Sequence, residues 1–348
     1  MLLFAHLGNG KRLNFSDNTM TTSKRIPELD SLRGIAALAV VFFHYFYNYN
    51  KHYGHNFYVS DLFDIGQTGV HLFFIISGFV IYWTLTRSEN ILQFIWSRFS
   101  RLYPVYWAAV IISFTFTTLM GPADRSVGTT DAFINLTMFH EYIGIAHVDR
   151  VYWTLSIELA FYILVGCALF LGLTKHTTKI CVLWLILAFG TRALNINLGL
   201  LHKALILNWC HLFIAGIIFF QLWSGALNIK FALPVLLLSL AIAYLANNGL
   251  NCLVVIAFYV IFPLAIFGKI KLLNQKVLVW LGTISYSLYL IHQNIGYGII
   301  QKCYSMNIPA SISITGSIIL SLIIAHLLST YVEKPSMKKL RGLVKARQ

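Results

Sequence analysis

The sequence predicts an all-α fold, a polytopic transmembrane bundle of about ten helices with both termini cytoplasmic. Three observations carry this reading: composition, the length of the apolar runs, and the placement of positive charge. Of the 348 residues, 58% are hydrophobic and only 11% are charged, whereas soluble domains use roughly 25% charged residues. Several apolar runs reach the ~20 residues that cross the hydrocarbon core as a helix, and the pattern lacks the ~10-residue alternating segments of an outer-membrane barrel.

Polar breaks divide the apolar sequence into candidate spans near 32–49, 68–86, 101–120, 152–171, 179–196, 205–224, 231–247, 249–268, 279–301 and 309–332. Only Asn247, Asn248 and Gly249 separate the seventh from the eighth, which leaves a re-entrant hairpin open there. Ten crossings put both termini on one side. That side holds twenty of the twenty-six lysines and arginines, and the other holds only Lys51, Arg125, Arg150, Arg192, Lys203 and Lys302. The positive-inside rule therefore assigns the termini to the cytoplasm and the longest loop, 121–151, to the outside. Four acidic residues and two histidines mark that loop as a place to meet an acceptor substrate.

The net charge of +14 is scattered over short loops rather than gathered in one basic domain, so no nucleic-acid partner is expected. The five cysteines stand singly in or beside apolar runs and read as core residues; no metal is expected. The start, MLLFAHLG followed by Lys11 and Arg12, reverses the order of a signal peptide, so no cleavage is expected, and Met20 is an alternative start. One membrane domain, 25–335, accounts for most of the chain. An N-terminal cytoplasmic tail, 1–24, expected to be disordered, precedes it, and a basic cytoplasmic tail, 336–348, follows.

Arg33 and His44 lie eleven residues apart in the first span. Eleven steps of ~100° return to nearly the same helix face, and at ~1.5 Å per residue the two are separated by roughly 16 Å. A histidine in a membrane helix is costly unless it faces protein or water, which makes His44 a functional candidate; the plainer reading is one interhelical hydrogen bond. Arg33 alone reads as a snorkelling helix-end residue. Arg98 and Arg101 share a face where the third helix opens. With Arg33 they would hold a multiply phosphorylated ligand, unless they only mark the cytoplasmic side. Glu158, in the segment WTLSIE that begins at Trp153, is the acidic residue placed well inside a span, at a depth comparable with His44. A carboxylate there needs a partner, and His44 is the candidate.

Three further segments stand out. The second span runs from Gly69 through His71 to Ser77 and Gly78, combining an outer-end histidine with small residues suited to close packing. The ninth brings Tyr286 and a second deep histidine, His292. Glu333, at the end of the last span, is expected to pair structurally with neighbouring arginines.

Taken in order, LDSLRG with Arg33 and His44, FFIISGF, the Arg98/Arg101 pair, WTLSIE, SYSLYLIH and EKP resemble the acyltransferase-3 family of bacterial membrane O-acyltransferases, over about residues 25–335. The resemblance implies transfer of an acyl group, usually acetyl, from cytoplasmic acyl-CoA to a hydroxyl of a carbohydrate at the outer face of the bacterial inner membrane or in the cell envelope. It implies His44 as the essential histidine and Arg33, Arg98 and Arg101 as donor-side residues. Glu158 joins His44 as the expected catalytic pair, with His71, Ser77, Trp153, Tyr286, His292 and Glu333 as supporting or substrate-side residues. Many members have aspartate where this chain has His71, so a role needing a carboxylate at that position does not carry over.

In that picture the phosphates of CoA rest on the arginines while the pantetheine arm, comparable in length to the Arg33–His44 rise, delivers the thioester. His44 then acts as general base on the acceptor hydroxyl or as a nucleophile forming an acyl-imidazole. The acceptor is open: O-antigen, exopolysaccharide, peptidoglycan or a glycosylated small molecule. The rival class is a proton-coupled transporter or flippase of an anionic or lipid-linked substrate, with His44 and Glu158 as a proton relay. Such proteins often show repeat symmetry or matched broken helices, and the sequence shows neither.

Overall fold

The structure, a computed structural model, describes residues 25–345; the expected tail 1–24 and residues 346–348 lie outside these. Among the described residues there are helices and turns and no strand. Ten long helices form where the sequence places apolar runs. They are α1 (Pro27–Tyr53), α2 (Asp61–Thr86), α3 (Ile91–Met120), α4 (Arg150–Phe170), α5 (Thr177–Ala193), α6 (Cys210–Trp223), α7 (Ile229–Ala246), α8 (Gly249–Ile266), α9 (Lys276–Ser305) and α10 (Ala310–Leu328). A π-helical turn, Ser329–Glu333, joins α10 to a basic helix over Lys334–Lys345 that occupies most of the C-terminal tail.

Seven of these, α1 to α4, α7, α8 and α10, are long and apolar enough to cross a membrane, by length and composition. The other three fall short for separate reasons. The helix α5 has 17 residues. In the 205–224 run the helix begins only at Cys210, after a turn in which Ile206 takes φ 45°, and α6 keeps 14 residues. The helix α9 has 30 residues but carries Ser285, Ser287, His292, Gln293 and Asn294, all buried. It is the central rod, with α1 and α10 packed along it, so protein rather than lipid covers its polar side chains. The break at 247–249 is a turn between two 18-residue helices, with Gly249 supplying φ 54°.

Helices in lipid gain little from burying one apolar surface against another, so close approach and polar contacts hold them together. Gly78 of α2 and Gly216 of α6 are the clearest case: a Cβ on Gly78 would collide with the Phe213 carbonyl, and one on Gly216 with the Ile75 carbonyl. Gly34 and Gly282 bring α1 against α9 in the same way. Hydroxyls then tie the rods. Tyr45 donates to the His292 carbonyl at 2.7 Å, and Ser239 donates to the His211 carbonyl at 2.7 Å. Large apolar side chains such as Leu183, Leu253 and Ile319 remain on the outside, as a lipid-facing surface requires.

Candidate active site

Two cavities run along the inside of the bundle. The first is a slot of about 80 Å³ toward the end where α1 begins, and the second a chamber of about 350 Å³ beneath the 121–149 loop. They share Val70 and Tyr289 in their walls. Tyr289 is held there by its hydroxyl, 2.9 Å from Thr154 Oγ1 and 3.2 Å from the Val151 carbonyl.

His44 stands in the chamber wall on a π-helical turn, Phe43–Asn48, inside α1. Such one-turn bulges occur often at functional sites, because they re-aim a side chain without breaking the helix. Its partner is His292 of α9, whose Nε2 lies 3.0 Å from His44 Nδ1. The chemistry of the neighbours fixes the tautomers. His292 Nδ1 faces the Leu288 and Tyr289 carbonyls at 3.2 and 2.9 Å, and carbonyl oxygens only accept, so this nitrogen carries the hydrogen and Nε2 of the neutral ring accepts. His44 Nδ1 likewise faces the Val40 carbonyl at 3.0 Å and therefore donates. The basic lone pair of neutral His44 is thus on Nε2, which has no hydrogen-bond partner among the described residues.

The slot is lined by Arg33 from α1, Arg98 and Arg101 from α3, Ser77 from α2, Glu158 and Tyr162 from α4, and Tyr286 from α9. Arg98 is buried; its Nη2 donates to Thr84 Oγ1 at 3.0 Å, while its Nε has no partner. Among the described residues no carboxylate lies within 4.0 Å of these three guanidiniums, the ion pairs being Arg25–Asp30 and Arg150–Asp124. A buried donor left unpaired and three cations on one slot form a site that fits an anionic ligand with several phosphates.

The residues singled out in the sequence therefore sort into two groups, with two corrections. Glu158 is not hydrogen-bonded to His44. Its Oε1 accepts from Ser77 Oγ at 2.7 Å and from the Tyr162 hydroxyl at 2.8 Å, on the wall of the arginine slot. The helix α4 packs against α2, and the carboxylate meets Ser77 of that helix rather than the chamber that holds His44. Among the described residues Glu333 forms no ion pair with an arginine; it is buried and accepts from Ser287 Oγ at 3.0 Å. His71 and Trp153 line the chamber with His44, His71 lying edge-on to Trp209 at 5.5 Å.

Sequence reasoning missed Arg125, Arg150, Trp209, Tyr289 and Gln293, all in the chamber wall. For Gln293 a signal exists, an amide directly after a deep histidine in an apolar helix. Arg125 and Arg150 read as ordinary loop arginines until the loop is folded over the bundle. Among the described residues no group of three or more histidine, cysteine, aspartate or glutamate side chains is arranged to hold a metal ion.

Fold and site together define a class: a multi-pass helical membrane protein with a histidine pair at one internal cavity and a cluster of arginines in the next. The family model described as an acyltransferase domain matches residues 26–330, and the chain belongs to the acyltransferase-3 family. Among curated proteins it is similar to the acyltransferase MdmB of Streptomyces mycarofaciens, 27% identical over 40% of this chain and 38% of that one. It is similar to the peptidoglycan O-acetyltransferase OatA of Listeria monocytogenes, 25% identical over 42% of this chain and 24% of that one. The exopolysaccharide production protein ExoZ of Rhizobium meliloti is 27% identical over 46% of this chain and 52% of its own. The matches thus span between a quarter and about half of these relatives. No solved structure matches.

Proposed function

We propose that the chain is an O-acyltransferase of the bacterial inner membrane with both termini in the cytoplasm. It moves an acyl group, acetyl foremost, from cytoplasmic acyl-CoA to a hydroxyl of a carbohydrate at the outer face. The observation that carries the reading is the contact of His44 Nδ1 with His292 Nε2 and the Val40 carbonyl, which leaves the Nε2 of His44 free, among the described residues, on the wall of the chamber under the loop. Three arginines and an unpaired Nε in the neighbouring slot support a donor with several phosphates.

The residues divide the work. Arg33, Arg98 and Arg101 bind the donor's phosphates, and the thin slot takes an extended arm up to Tyr289. In the chamber His44 Nε2 takes the proton of the acceptor hydroxyl as its oxygen bonds to the acyl carbon. The carbon–sulfur bond then breaks, and the departing thiolate takes the proton from the imidazolium. His292 keeps His44 Nδ1 protonated and aimed throughout. Relatives named for peptidoglycan and exopolysaccharide support a glycan acceptor.

The sidedness is testable in proteoliposomes holding the full chain in one orientation, with labelled acetyl-CoA on the terminal side and an envelope glycan on the loop side. The reading expects label on the glycan. Transfer only when both substrates share a side would overturn the trans-membrane path.

A further inference from the structure

The chamber under the loop has a lining of one sign. Arg125 and Arg150 stand in its wall with His44, His52 and His71, and no carboxylate does. Arg125 is only 4% exposed, yet its hydrogen bonds go to neutral groups: Nε donates to the Tyr53 hydroxyl at 2.8 Å and Nη1 to Asn294 Oδ1 at 3.4 Å, with the Tyr297 ring 4.5 Å beneath. Of the nearby carboxylates, one is held by backbone and the other reaches Arg150 only at 4.0 Å. Asp149 accepts the backbone N–H groups of Val151 and Asn294, at 3.3 and 3.1 Å, and Asp124 accepts from Tyr53 at 2.8 Å and lies 4.0 Å from Arg150.

A second observation is independent of charge. Three chamber residues carry buried polar atoms without a partner, namely Arg125 Nη2, Gln293 Oε1 and His71 Nδ1. Buried polar atoms are nearly always paired, so three around one cavity mark a place completed by a ligand. The wall also holds the Trp153 and Trp209 rings, 5.3 Å apart and tilted by 46°, an apolar aromatic corner beside amide groups that suits the face of a sugar.

We infer that the acceptor is an acidic glycan, a sugar bearing a carboxylate or phosphate. Arg125 and Arg150 hold the anion, Trp153 and Trp209 hold the ring, and a neighbouring hydroxyl meets His44 Nε2. This rests on the acyl-transfer reading for its name as acceptor, while the binding itself can be measured without any transfer.

The test is calorimetry on the full chain in lipid nanodiscs with three matched probes: a glucuronate-containing disaccharide, its neutral glucose counterpart, and the 6-phosphorylated glucose counterpart. The chamber is expected to bind at least one acidic probe about tenfold more tightly than the neutral one, as a charge-assisted pair provides. Tighter glucuronate assigns a uronic acid, and tighter phosphate a phosphorylated sugar. Arg150→Gln, at a half-exposed position, and Arg125→Lys, which keeps the buried charge but loses the fork, should each remove most of that preference. Equal affinity for all three probes, or a preference retained in both variants, overturns the inference. An anion preference without acylation of any probe supports the chamber and tells instead against acyl transfer.

Discussion

His44 donates from Nδ1 to Nε2 of His292 across 3.0 Å, so that one imidazole orients the other where a carboxylate was expected. The partner is uncharged, and its own Nδ1 is held by two backbone carbonyls. His292→Gln can still accept through its amide oxygen, whereas His292→Phe cannot. Transfer should fall by about 10²–10⁴ in His292→Phe, the range for a mispositioned general base, and much less in His292→Gln. Turnover at matched protein amounts checks this, with donor affinity unchanged in both variants. Equal loss in the two variants would reduce His292 to a packing role.

Glu158 belongs to the arginine slot, and its replacement separates that placement from a pairing with His44. Glu158→Gln keeps the Ser77 and Tyr162 contacts in outline but removes a negative charge beside three guanidiniums. Donor affinity, measured by calorimetry, should change, while the midpoint of the pH–rate profile stays where it is. A shifted midpoint with unchanged affinity would put the carboxylate back beside the imidazole.

The helix positions were legible in the sequence because apolar length is a local property, and all ten runs form helices. Their inner contacts were not. The two π-helical turns, at Phe43–Asn48 and Ser329–Glu333, leave no signature in hydropathy, and they carry His44 and Glu333. The arginine group was found because Arg33, Arg98 and Arg101 share an end of the bundle, which depth alone specifies. The His44–His292 pair was not, since depth says nothing about which helices are neighbours. Arg125 was hidden for a different reason: a loop arginine becomes a buried one only when Tyr53, Asn294 and Tyr297 close around it.

The contact between α2 and α6 depends on having no side chain at Gly216. Gly216→Ala forces its Cβ into the Ile75 carbonyl and should cost about 1–3 kcal/mol, the usual penalty of overpacking. Gly190→Ala, inside α5 where nothing lies within 4 Å of the new Cβ, serves as the control and should be neutral or stabilising by up to about 1 kcal/mol. Thermal unfolding in detergent distinguishes them, and equal melting of the two variants would contradict this packing.

His140 and His147 in the loop face each other, Nε2 to Nδ1, at 2.6 Å. Burial, and then the neighbouring His147, pushes His140 down to about 4, and burial lowers His147 as well. Because both are depressed in the folded loop, the neutral pair stabilises it above the ordinary histidine value of about 6.5, and that contribution is lost as pH falls from there toward 4. Protease sensitivity of the loop should rise between pH 7 and 5 in the wild type, and much less in His147→Gln compared at each pH. Parallel curves would show that the pair does not govern the loop.

The central claim is that His44 Nε2 takes the proton of a glycan hydroxyl during acyl transfer. The most direct measurement compares O-acetyl signals by NMR in envelope polysaccharide from cells with the wild-type gene, without it, and with His44→Ala at equal membrane abundance. The expected result is that O-acetyl signals present with the wild type are missing in both other samples. Signals of wild-type intensity from His44→Ala would contradict it.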